Sequence, residues 1–144
     1  MSKPTESRFV MAAKVRWRRE PTADDNELRR QGGIAKTLRG FQSLGLLKFA
    51  AIPNGGKRSK KSASILKNQG VSPGFPDLVV TFPKTLTHLY LETKTPAGRL
   101  SRGQIEWHEW LKDCGHKCSV VQSVDDVLEE LSFFLHTLNR IGLI

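Results

Sequence analysis

The stretch YLETKTPAG, Tyr90 to Gly98, starts as a β-strand and then sets Glu92 and Lys94 where a core strand would carry apolar side chains. Side chains of a strand alternate between its two faces, and residues i and i+2 stand on the same one, roughly 6–7 Å apart. Glu92 and Lys94 therefore point one way, and Leu89, Leu91 and Thr93 the other. The acid–base pair either decorates a wet face or lines a site, and the residues that the chain brings beside it decide which.

Upstream, QGVSPGFP is a loop dense in glycine and proline that delivers the chain to Asp77 and a predicted strand, Leu78–Phe82. Pro83–Thr87 turns it back into a strand over His88–Lys94. A hairpin closed there brings Asp77 beside residues 92–94. If Glu92 or Lys94 stands opposite Asp77, all three side chains share a face; if Thr93 does, Asp77 goes to the other. We take the first register. Two carboxylates converging near a lysine suit a hard cation such as Mg²⁺, which binds one or two carboxylates and keeps several waters. Such an ion polarises a phosphodiester and lowers the pKa of a bound water. Lys94 is then placed to hold the attacking water or to offset charge developing on the phosphorane. The plain alternative is a surface ion pair worth about 0–1 kcal/mol. Asp77 at the right distance and a basic chain around it favour the site.

Further out, Leu28, Ile34, Leu38, Phe41 and Leu44 recur at three- and four-residue steps and predict a helix from Asp24 to Gly45, weakened by Gly32–Gly33. Glu27 and Gln31 fall on its apolar face with Ile34, Leu38 and Phe41. A glutamate there needs a partner or a cation, unless it only favours the helix dipole. Lys48–Ile52 is a short strand, and Lys57–Lys67 a basic, serine-rich loop that turns helical only toward Ile65–Leu66. Ser101 and Gln104 form a capping box for a helix closed by Gly115. His116–Gln122 is a strand, and Ser123 with Asp126 caps a helix from Val124 to about Asn139. The order α-β-β-β-α-β-α predicts an α/β fold, a mixed sheet flanked by helices. Residues 24–144 suffice for one domain, and residues 1–23 read as a flexible basic arm with a short element at Phe9–Trp17.

The 23 lysines and arginines against 14 acids give a net charge of +9 and point to a polyanionic partner, most often nucleic acid. No run of 18 apolar residues and no signal-peptide core occur, so a soluble, intracellular protein is expected. Cys114, His116 and Cys118 lack the second ligand pair of a structural zinc site. Lys57, Arg58, Lys60, Lys61 and Lys67 before the site, and Arg99 and Arg102 after it, are candidate phosphate contacts. Trp107 and Trp110 are of a type that stacks on unpaired bases, but packing of their helix on the sheet explains them more cheaply, and His108 reads as a partly buried structural histidine.

These spaced blocks resemble a known family. GFPDLVV followed after fourteen residues by LETK resembles the signature of the PD-(D/E)xK nuclease superfamily. Glu27 with Gln31, AAIPNGG at 50–56, LKNQGVSPGFPDL at 66–78 and LETKTPAGRLSRGQ at 91–104 resemble its virus-type replication-repair nuclease (VRR-NUC) branch. The resemblance covers roughly residues 24–131 and implies a restriction-endonuclease-like fold. It implies that Asp77, Glu92, the Thr93 carbonyl and Glu27 hold Mg²⁺ or Mn²⁺, that Lys94 is the catalytic lysine, and that Gln104 helps order the site. Small members of the branch look like structure-specific nucleases of phage or bacterial origin, acting as homodimers on branched DNA such as Holliday junctions. A homodimeric DNA endonuclease of repair or recombination, in the cytoplasm of a bacterial or phage-infected cell, is the leading expectation. The apolar run Leu131–Leu138, followed by IGLI, is the candidate interface. A non-catalytic nucleic-acid-binding module and a restriction-type, sequence-specific endonuclease are the alternatives.

Overall fold

The structure is a computed structural model that describes residues 27–53 and 59–140, without the side chains of residues 27–29 and 138. Among the described residues eight elements follow one another: α1 (Glu27–Ser43), β1 (Lys48–Ala51), α2 (Lys60–Asn68), β2 (Leu78–Thr81), β3 (Leu89–Thr93), α3 (Arg102–Asp113), β4 (Lys117–Val121) and α4 (Val124–Arg140). The four strands form one sheet in the order β1-β2-β3-β4. β1–β2 and β2–β3 are antiparallel, while β4 returns through α3 to run parallel to β3. This is the expected mixed α/β sheet flanked by helices, with one correction. Lys60–Asn68 is a full helix, not a loop with a helical end, and Ser59 caps it by accepting from Ser62 N–H at 3.1 Å.

The two faces of β3 sort the core. Leu89 and Leu91 join Leu78, Val80 and Val121 beneath α1 (Ile34, Leu38, Phe41) and α4 (Val127, Leu131, Phe134). On the opposite face Tyr90 packs with Cys118 and Leu111 under α3, with Phe75 and Trp107 at the edge. Gly32 and Gly33 do not break α1, whose tertiary packing outweighs their low helix propensity. The expected Ser123–Asp126 cap is present: Asp126 N–H donates to Ser123 Oγ and Ser123 N–H to Asp126 Oδ2, each at 3.1 Å. Leu131 and Phe134 of the supposed interface run are buried in the core, while Phe133 is exposed. The arm at 1–23 and the IGLI tail lie outside the described residues.

Candidate active site

Leu78 pairs with Leu91, Val79 with Tyr90 and Val80 with Leu89. One step further along this register sets Asp77 opposite Glu92, near enough for its charge to act on Glu92, although its carboxylate bonds Thr93. β3 is buried along its whole length because it is an inner strand covered on both faces. Glu92 is therefore an acid with only 2% of its surface exposed. Its Oε1 accepts from Gln104 Nε2 at 2.6 Å and meets Lys94 Nζ at 3.3 Å. Its Oε2 is buried with no hydrogen-bond partner. An unsatisfied buried carboxylate oxygen is costly, so this atom asks for a proton or a cation. Burial first, and the Asp77 carboxylate second, push the Glu92 pKa up to about 7, against the pull of Lys94 and the Asp77 main chain.

Asp77 is held from one side. Its Oδ2 accepts from Thr93 N–H at 2.9 Å and Thr93 Oγ1–H at 2.7 Å. The bonds tie β3's last residue to the start of β2 and leave Oδ1 available to a cation. Gln104 has two partners at once. Its Oε1 accepts from Ser101 N–H at 2.8 Å to complete the capping box, while its Nε2 faces Glu92. What brings α3 so near is Gly74, whose φ of +87° suits glycine. A Cβ at Gly74 would lie 2.6 Å from the Gly103 carbonyl carbon and 2.9 Å from Gln104 N. The loop before Asp77 thus rests on the first turn of α3, backbone against backbone.

Sequence reasoning missed Arg30. Its Nη1 donates to the Lys94 carbonyl at 3.3 Å, across 64 residues of chain. The three-residue offset from Glu27 and four-residue offset to Ile34 were a signal, since they set Arg30 on the buried side of α1.

Lys60, Lys61 and Lys67 are exposed on α2, and Arg99 and Arg102 are exposed after β3. Arg102 pairs with Glu106 at 3.0 Å across one exposed helical turn. Glu27 opens α1, but its side chain lies outside the described residues, as do Lys57 and Arg58. His108 is more buried than expected, its Nε2 lacks a hydrogen-bond partner, and burial, then Lys112, holds its pKa below the usual histidine value. Trp107 packs edge-on against Phe75 with centroids 4.9 Å apart. Trp110, by contrast, is 64% exposed, so packing on the sheet does not account for it.

Asp77 and Glu92 are hard oxygen donors, and Lys94 and Gln104 hold Glu92 Oε1 while the buried Oε2 beside it has no hydrogen-bond partner; this donor set fits Mg²⁺ or Mn²⁺. Comparison with protein families matches residues 25–125 to the VRR-NUC domain. Among solved structures, one called "VRR_NUC domain protein" is 16% identical, with a TM-score of 0.49 over 94% of this chain and 92% of that one. None of the curated proteins compared with the chain matches it.

Proposed function

The chain belongs to the VRR-NUC domain family, a nuclease family, and we propose that it is a Mg²⁺- or Mn²⁺-dependent endonuclease that hydrolyses phosphodiesters of branched DNA. The observation that carries the proposal is the unpartnered, buried Oε2 of Glu92, beside Asp77 and Lys94. Asp77, Glu92 and the Thr93 carbonyl would hold the cation, with Glu27 as a further acid from α1. When bound, the cation would supply Lewis-acid polarisation of the scissile phosphate and a more acidic water.

The protein's own groups do the rest. Lys94 extends its ammonium over Glu92 Oε1, where it can orient a water in line with phosphorus and balance charge on the equatorial oxygens. Gln104 holds Glu92 Oε1, so that Oε2 would be the oxygen left to a cation. Thr93 fixes Asp77 in the same manner. Lys60, Lys61 and Lys67 on α2, together with Lys57, Arg58, Arg99 and Arg102, would bind the DNA backbone by charge and counterion release. Cutting two strands of a junction symmetrically calls for two sites, so a homodimer is proposed from the substrate. The run Leu131–Leu138 is a poor source for its interface, because Leu131 and Phe134 are spent on the core.

The test is a panel of labelled substrates: a four-way junction, a 5′ flap and a matched linear duplex, each with Mg²⁺, Mn²⁺ or EDTA. Cutting of the branched forms that EDTA abolishes is expected. Cutting of linear duplex at fixed sequences would make it a restriction-type enzyme, and tight binding without cutting in either metal would make it a binding module.

A further inference from the structure

We propose that Arg30 is a positioning residue that fixes the main chain of Lys94 and, through it, aims the ammonium group. The inference rests on Lys94 being the catalytic lysine. β3 ends at Thr93, so Lys94 is the residue with which the chain leaves the sheet. Immediately beyond it a turn forms, with Gly98 N–H donating to the Thr95 carbonyl at 2.9 Å. A lysine at such an exit has a long flexible stem on a backbone that the sheet no longer holds. Here both of its main-chain groups are tied, each by a different element. Lys94 N–H donates to the Val121 carbonyl of β4 at 3.0 Å. The Lys94 carbonyl accepts from Arg30 Nη1 of α1 at 3.3 Å.

The placement of Arg30 suits this task. Ile34, Leu38 and Phe41 form the buried stripe of α1, and Arg30 continues it one turn toward the N-terminus. An apolar side chain would pack there; the guanidinium adds a permanently charged donor in a planar fork. This bond goes to a carbonyl, so it leaves the Glu92 carboxylate to Lys94, Gln104 and the cation. A displacement of about 1 Å at a reacting group costs rate steeply, so loss of this tie should be visible in chemistry before it is visible in binding.

The test compares Arg30→Met, which keeps a stem and removes the donor, with Arg30→Lys, which restores a charged donor. Single-turnover cleavage of a four-way junction in Mg²⁺ is measured at saturating protein and well below the Tm of each variant. Junction affinity is measured in EDTA. Arg30→Met is expected to lower the cleavage rate constant by roughly tenfold or more, with junction Kd within about twofold of wild type, and Arg30→Lys to recover part of the rate. Adding Arg30→Met to Lys94→Ala should cost nothing further, because a positioning residue has nothing left to position. A wild-type rate in Arg30→Met overturns the inference. So does a roughly tenfold weaker Kd with an unchanged saturated rate, which would make Arg30 a phosphate contact. Fully additive losses in the double variant also overturn it. Should Lys94→Ala itself cut like wild type, the reading of the whole site fails; should only Lys94→Ala be dead, this inference alone does.

Discussion

Gln104 divides one amide between a helix and a site, its oxygen capping α3 and its nitrogen holding Glu92. The two tasks separate by substitution. Gln104→Glu keeps the acceptor for Ser101 and loses the donor to Glu92; cleavage should fall roughly 10–100-fold while helix content by circular dichroism stays the same. Glu92 itself predicts a pH dependence. An ordinary glutamate titrates near 4.5, and this one near 7 in the folded chain. Below pH 4.5 the carboxyl is protonated in both states and costs nothing; above 7 it is ionised in both, and the folded state bears the full desolvation. The metal-free protein therefore loses stability from this group as pH rises from 4.5 to 7, and Glu92→Gln should raise stability at about pH 8 by about 1–2 kcal/mol, read by urea denaturation. Mg²⁺ competes with the proton, so its stabilising effect on wild type should grow across the same range. At this scale the nearness of Asp77 to Glu92 and Lys94 was legible in the sequence, since closing the hairpin brings the ends of its strands together, while the register that decides which side chains share a face was a choice. The Thr93–Asp77 bonds were not, because strand alternation does not set which way a side chain at a strand end turns, and the grip of Arg30 on Lys94 was not, because no local pattern encodes where α1 lies relative to β3.

Among the elements, the loop from Gln69 to Pro76 and the start of α3 act as a unit, joined at Gly74. Gly74→Ala combines a left-handed backbone with a Cβ set 2.6 Å from the Gly103 carbonyl carbon. It should destabilise the protein by at least about 1–3 kcal/mol and lower cleavage further than stability requires, because the shift moves Gln104 away from Glu92. β4 gives a second check. Cys118 is buried in it, and burial pushes its thiol up to about 11, whereas Cys114 is exposed at the end of α3. A thiol reagent at about pH 8 should titrate one cysteine in the native protein and two in denaturant. Strands, α3 and α4 were legible from turn residues, capping boxes and apolar alternation. α2 was not, because none of its residues is buried and its two large apolar side chains, Ile65 and Leu66, are too few to mark a helical period. Its helix rests on the Ser59 cap and on propensity, signals that a basic, serine-rich composition obscures.

Across the whole molecule, a net charge of +9 and a site for phosphodiesters describe one object. No helix among the described residues is long and apolar enough to cross a membrane. Replacing Lys60, Lys61 and Lys67 together by glutamine should weaken junction binding without changing the saturated cleavage rate. The salt dependence of binding should flatten by about 0.9 in the log–log slope for each phosphate that a lysine no longer neutralises. The α/β class was legible from the order of elements, because helices and strands alternating around a hairpin leave few arrangements. We propose that Asp77, Glu92 and the Thr93 carbonyl hold a divalent cation. Anomalous scattering from crystals soaked in Mn²⁺ at about pH 8, above the Glu92 pKa, addresses it most directly. A peak in contact with Glu92 Oε2 and Asp77 Oδ1, absent in Glu92→Gln, is the result predicted; a peak elsewhere, or none in the wild-type site at saturating Mn²⁺, would contradict it.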